Sequence, residues 1–142
     1  MDMIIFMAEE LRLSEANRET IRQFLLTMIH RDADFEPKPD LERVLNLCDE
    51  FVTDLPTLIR ASMFMLIKSL ELSTIAQGYR HTFSKLSPEQ QKEYLLKMEN
   101  SSSYAFRGVI LGIKSLAFIV YFSEPEAEKA VGYDGKCLTD TV

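Results

Sequence analysis

Apolar residues recur along this chain at helical spacing, broken by short polar links. After Ser14, a good N-cap, Ile21, Phe24, Leu25 and Met28 predict a helix running to about His30. The link from Arg31 to Pro39 carries two prolines, which disfavour continued helix. Asp40 then caps a segment whose Leu41, Val44, Leu45, Cys48, Phe51 and Val52 form one stripe. Asp54, with Pro56 just inside, predicts the start of the next helix, since proline fits a first turn where its missing N–H costs nothing. Over 58–72 that helix is apolar around most of its circumference, and its charges Arg60, Lys68 and Glu71 share a narrow sector. A helix apolar nearly all round is expected to be packed on several sides, so it is placed at the bundle's centre.

Gly78 ends this region, and 79–86 reads as a connector. Ser87-Pro88-Glu89-Gln90 is a complete capping-box start for a helix carrying Tyr94, Leu95 and Met98. Asn100-Ser101-Ser102-Ser103 breaks it and supplies the cap for a long helix reaching Phe122. Ser123-Glu124-Pro125-Glu126 opens a short helix to about Val131, Gly132 stops it, and Tyr133-Asp134-Gly135 is a turn signal. No alternating strand pattern competes. The expectation is one all-α domain over 1–142, a bundle of six or seven helices around a nearly all-apolar central helix. Residues 136–142 are expected to be a loose terminus, and 1–10 a loose arm with a helix or a strand over Met1–Ala8 as alternatives.

A composition of 46% hydrophobic and 27% charged residues is that of a globular protein, so the helices have enough apolar surface to form a core. The net charge of −6, with dispersed Lys and Arg, lacks the clustered cations that phosphate backbones require, and nucleic-acid binding is not expected. Cys48 lies on a core stripe and Cys137 near the end, without a disulfide framework; reduced thiols and a cytoplasmic location follow as the simpler expectation. The opening Met1-Asp2-Met3-Ile4-Ile5-Phe6-Met7-Ala8 lacks a basic leader and a twin arginine, so no export signal is expected. Within the apolar stretch 104–122, Arg107 and Lys114 would each cost about 2.5–3.5 kcal/mol near a bilayer centre. They stand seven apart on one side of a helix, which predicts a buried amphipathic helix rather than a membrane span.

Candidate chemistry is sparse. Asp32-Ala33-Asp34-Phe35-Glu36 opens like a calcium loop, but Pro37 stands where the turn glycine belongs and Arg43 where the bidentate glutamate belongs. Neither His30 nor His81 belongs to a helical metal-ligand pair; His30 suits a helix C-terminus and His81 an exposed connector. There is no Gly-x-Ser-x-Gly elbow and no glycine-rich phosphate loop. Cys48, on a core stripe, lacks the accessible electropositive setting of a nucleophile. No catalytic residue, metal or cofactor is therefore expected on this chain. Gly108 and Gly112, four apart in the long helix, point to close helix packing, with a ligand groove as the alternative.

From Phe83 onward the residues form an ordered pattern. Phe83-Ser84-Lys85-Leu86-Ser87-Pro88-Glu89-Gln90 is followed by Tyr94-Leu95, Arg107, Lys114-Ser115-Leu116, Tyr121-Phe122-Ser123-Glu124-Pro125 and Ala130-Val131-Gly132-Tyr133-Asp134-Gly135. This resembles the flavin-free small-subunit family of gluconate dehydrogenase and the related N-terminal regions of long-chain fatty alcohol oxidases. The resemblance covers about a third of the chain. It implies a non-catalytic helical partner of a large FAD-dependent alcohol or sugar dehydrogenase, in which flavin and substrate chemistry belong to the large subunit. Family members often carry a twin-arginine export signal; its absence here implies a cytoplasmic complex. The partner-contact candidates are Arg107, Lys114, Gly132, Tyr133, Asp134 and Gly135. Each has a plainer reading, a solvated stripe for the two cations and core packing for Tyr133. The alternative function is a small-molecule or lipid-binding helical module, suggested by Met63 and Met65 beside Phe64 and by the glycine pair.

Overall fold

The computed structural model describes residues 13–31 and 38–130 of the chain, and the 132–135 turn and Cys137 lie outside them. Among the described residues there are six α-helices and no strand: α1 (Glu15–Leu25), α2 (Leu41–Thr53), α3 (Thr57–Ala76), α4 (Pro88–Glu99), α5 (Tyr104–Tyr121) and α6 (Pro125–Ala130). The all-α bundle read from the sequence is what the chain forms.

Several helix ends follow from side chains visible in the sequence. Ser14 accepts from the Asn17 N–H, Asp40 from the Glu42 N–H, and Ser87 with Gln90 completes the capping box. At the C-terminus of α3, Gly78 adopts φ 95°, and the Gly78 and Tyr79 N–H groups donate back to the Ile75 and Thr74 carbonyls. That closure needs a left-handed residue, which glycine supplies without a Cβ clash.

Other ends differ from expectation. Pro56 itself sits at the N-cap of α3, while Asp54 terminates α2. Ser103 makes no side-chain cap bond to α5, and the Ser123 hydroxyl donates back to the Val120 carbonyl instead of opening α6. Beyond Leu25 the first helix widens into a π-helical turn, Leu26–His30. That turn puts Thr27 within 2.9 Å of the Gln91 amide oxygen and His30 Nδ1 within 3.1 Å of the Tyr121 hydroxyl.

The core is drawn from every long helix: Ile21, Phe24, Leu45, Cys48, Val52, Ile67, Leu70, Tyr94, Leu95, Ile113, Leu116 and Tyr121 are buried. The connector contributes Phe83, on a 3-10 turn (Phe83–Lys85), whose carbonyl accepts from buried Gln91 at 3.0 Å. Burial pushes the Cys48 thiol up to about 12, so it behaves as the inert small hydrophobe its position suggested.

Gly112 packs directly on α3. A Cβ there would stand 2.4 Å from Leu66 Cδ1, whereas one at Gly108 would meet nothing within 4 Å. The close-packing explanation therefore holds for one glycine of the pair. Gly108→Ala is expected to raise stability by about 0.5–1 kcal/mol through helix propensity alone. In Gly112→Ala the same gain is offset by displacement of Leu66. Thermal unfolding of the two variants should place Gly108→Ala above the parent and Gly112→Ala level with or below it.

Candidate functional site

Helix α3 is turned with two of its three charges, Arg60 and Glu71, inward. Arg60 is buried, and its guanidinium donates to the Thr53 and Leu55 carbonyls at 3.1 and 3.2 Å, satisfying the C-terminal end of α2. Eleven residues on, and so on the same side of the helix, Glu71 is buried as well. One of its oxygens accepts from the Thr20 hydroxyl of α1, the other from the Ser84 N–H at 2.9 Å and the Ser84 hydroxyl at 2.7 Å. Burial pushes its pKa up, but the hydrogen bonds from Thr20, Ser84 and Thr82 outweigh that and hold it below the ordinary carboxylate value.

The consequence appears on the opposite side. The expectation that α3 is packed on several sides is corrected by its outward face, where Leu58, Ser62, Met65, Ser69 and Leu72 are all exposed. Helices α1, α2 and α5 and the 3-10 turn cover the inner side of this helix, where the two buried charges lie, and leave the outer side open. On α5 the expectation of burial fails in the same way. Ile110, Ile113, Leu116, Ala117, Val120 and Tyr121 are buried, while Tyr104, Gly108, Leu111, Ser115 and Ile119 face outward. By length and composition α5 is apolar enough to cross a membrane, with a third of it buried.

Contact between Gly112 and Leu66, together with the depression shared by Gln77 and Phe106, sets α3 and α5 antiparallel. The contact of Leu66 with Gly112 puts the middles of the two outward faces, at Met65 and Leu111, near one another. Each helix thus presents three large apolar side chains, the ridges, separated by two small Ser or Gly positions, the valleys. The six ridge residues are between 58% and 85% exposed, which is the exposure of a surface without a cover. Ser62 and Ser115 donate their hydroxyls to the Leu58 and Leu111 carbonyls of their own helices, at 2.9 and 2.8 Å. Those two valley hydroxyls already have partners, so covering the face leaves neither unpaired.

Of the partner-contact candidates in the sequence, the structure brings Arg107 and Lys114 together on the outer edge of α5, on the side away from α3. The Arg107 guanidinium lies 4.6 Å over the Tyr104 ring, and Lys114 Nζ bonds Glu99 at 3.0 Å. With Ile110 and Leu111 these groups line an open surface depression of about 400 Å³. Gly132, Tyr133, Asp134 and Gly135 lie outside the described residues. The ridge residues were missed as site candidates. Their signal was the alternation of large and small residues at three- and four-residue steps, which periodicity alone assigns to a core.

Among the described residues no group of three or more His, Cys, Asp or Glu side chains is placed to hold a metal ion. The depression among α3, α4 and α5, lined by Tyr94, Met98 and Phe106, measures about 50 Å³. No family model, curated protein or solved structure matches the chain. The class that the fold and this face define is an all-α helical bundle with an uncovered two-helix apolar surface.

Glu71→Gln is expected to cost about 1–3 kcal/mol at neutral pH, because the charged acceptor of three hydrogen bonds is lost in a buried site. The folded-state pKa of Glu71 lies below its ordinary value of 4.5, so its contribution is complete above that value and is lost as pH falls through the lower folded-state value. Denaturant titrations should show the parent losing stability over that acidic window and Glu71→Gln losing less.

Proposed function

We propose that the chain is a non-catalytic helical accessory subunit or assembly partner of a large FAD-dependent alcohol or sugar dehydrogenase. The observation that carries a protein-binding role is the outer edge of α5, where the Arg107 guanidinium stacks on the Tyr104 ring and Lys114 stands two turns along. The partner's class comes from the resemblance that begins at Phe83. On this reading flavin and substrate chemistry reside in the large subunit, and this chain contributes contacts.

Support for the large subunit's contact point comes from the outer edge of α5. Arg107 presents a planar cation backed by the Tyr104 ring, a geometry suited to a carboxylate on a partner. Lys114 stands two turns along the same edge, held in place by Glu99. The turn at 132–135 follows this helix in sequence and remains part of the proposed contact.

A ligand-binding module has less to support it. Sites for small molecules occupy about 300–1,000 Å³ with mostly apolar, enclosing walls. The depression beneath α3, α4 and α5 is far smaller, and the two of about 400 Å³ are open at the surface, one of them lined by Asp49, Glu50 and Asp54.

Coexpression of the tagged chain with a candidate large dehydrogenase subunit tests the proposal. The expected result is a stoichiometric, flavin-coloured complex, with the isolated chain colourless. Arg107→Glu should reduce recovery of the flavoprotein at least tenfold while leaving the helical circular dichroism unchanged. Failure of every such flavoenzyme to associate would end this reading.

A further inference from the structure

We infer that the ridged face of α3 and α5 is covered by a second copy of this chain, closing a four-helix layer around a two-fold axis. This goes beyond the accessory role, whose proposed contact centres on Arg107 and Lys114 at the outer edge of α5 and meets the ridged face at Tyr104 and Leu111.

Three observations select a second copy. The first is self-complementarity. Both helices show the same order of large, small, large, small and large residues: Leu58, Ser62, Met65, Ser69, Leu72 on α3, and Tyr104, Gly108, Leu111, Ser115, Ile119 on α5. Ridge residues seven or eight apart stand about 10–12 Å apart, with the valleys about 5 Å from each. A two-fold copy offset by about 5 Å seats ridges in valleys, the knobs-into-holes packing of helical bundles. One surface supplies both halves of such an isologous contact.

The second is charge. No side chain charged at neutral pH occupies any of the ten ridge and valley positions. The remaining charges of α3 and α5 are either buried, as Arg60 and Glu71 are, or stand at the outer edges, as Lys68, Arg107 and Lys114 do. Two copies therefore meet with no charge at the centre of the contact and with Arg107, stacked on Tyr104, at its rim.

The third is size. Helices of 20 and 18 residues are about 30 Å long, and the pair is about 20 Å wide. Each copy thus offers about 600 Å², so a dimer covers about 1,200 Å² in total, which reaches the lower bound of stable, specific interfaces.

Light scattering coupled to size exclusion, run on the full chain without detergent from about 1 to 100 μM, tests this. The expected mass is twice the 16.4 kDa of one chain, falling toward one chain on dilution. Met65→Glu and Leu111→Glu should each return a monomer with unchanged far-ultraviolet circular dichroism. Should either variant misfold, Ser62→Lys places the charge in a valley and is expected to give the same monomer. A parent that is monomeric throughout overturns the inference, as does a dimer that these variants leave intact. Monomer that co-sediments with phosphatidylcholine–phosphatidylglycerol vesicles overturns it in favour of a lipid-facing surface. A monomer that still captures the flavoprotein overturns the dimer and leaves the accessory role standing; a dimer that captures none does the reverse.

Discussion

The rotation of α3 about its own axis governs what the rest of the molecule presents. Glu71 fixes that rotation. Its two oxygens are held by Thr20 of α1 and by Ser84 of the 3-10 turn, groups that come from different parts of the chain. Turning α3 outward would strand those donors and the carboxylate together, and buried polar groups without partners are costly. Arg60 adds a second anchor at the other end of the helix by filling the carbonyls that terminate α2. With both charges committed to the inside, the apolar residues at the opposite azimuth have nowhere to go but outward.

The same constraint aligns α5. Gly112 lets Leu66 approach closely, so the two helices lie side by side over the core formed by Ile67, Leu70, Ile113 and Leu116. Close approach brings their outward faces into one continuous surface. Elsewhere the bundle is held by polar ties of a more ordinary kind. Arg22 joins Glu42 across α1 and α2, and Arg43 of α2 reaches Glu124 and Glu126 at the start of α6. The Arg22 pair is partly exposed and orients helices more than it stabilises them, whereas Glu124 is buried beneath a half-exposed Arg43.

A functional division follows from these two layers. The chemistry-bearing side chains that the fold buries are consumed structurally: Glu71 and Arg60 as locks, Cys48 as core, and Tyr121 as a phenol pushed up to about 12 by burial. At the surface, α3 and α5 present a ridged apolar face with Arg107 and Lys114 on one edge, features suited to contact with a partner.

The sequence by itself determined the elements. Helical spacing, the caps at Ser14, Asp40 and Ser87, and the glycine stop at Gly78 are local signals, and local hydrogen bonds enforce them. It also marked Arg107 and Lys114 as lying on one edge, since seven residues make two helical turns. Periodicity could not say which side of α3 faces inward, because an almost uniformly apolar helix offers no hydrophobic gradient to read. Apolar composition suggested burial on several sides, and three charges in one sector did not say which way that sector points. Tertiary structure turned Arg60 and Glu71 inward, since their partners sit on other elements and exist only once the bundle has assembled. The two-helix face is likewise invisible one helix at a time: it depends on the antiparallel register that the contact between Leu66 and Gly112 sets.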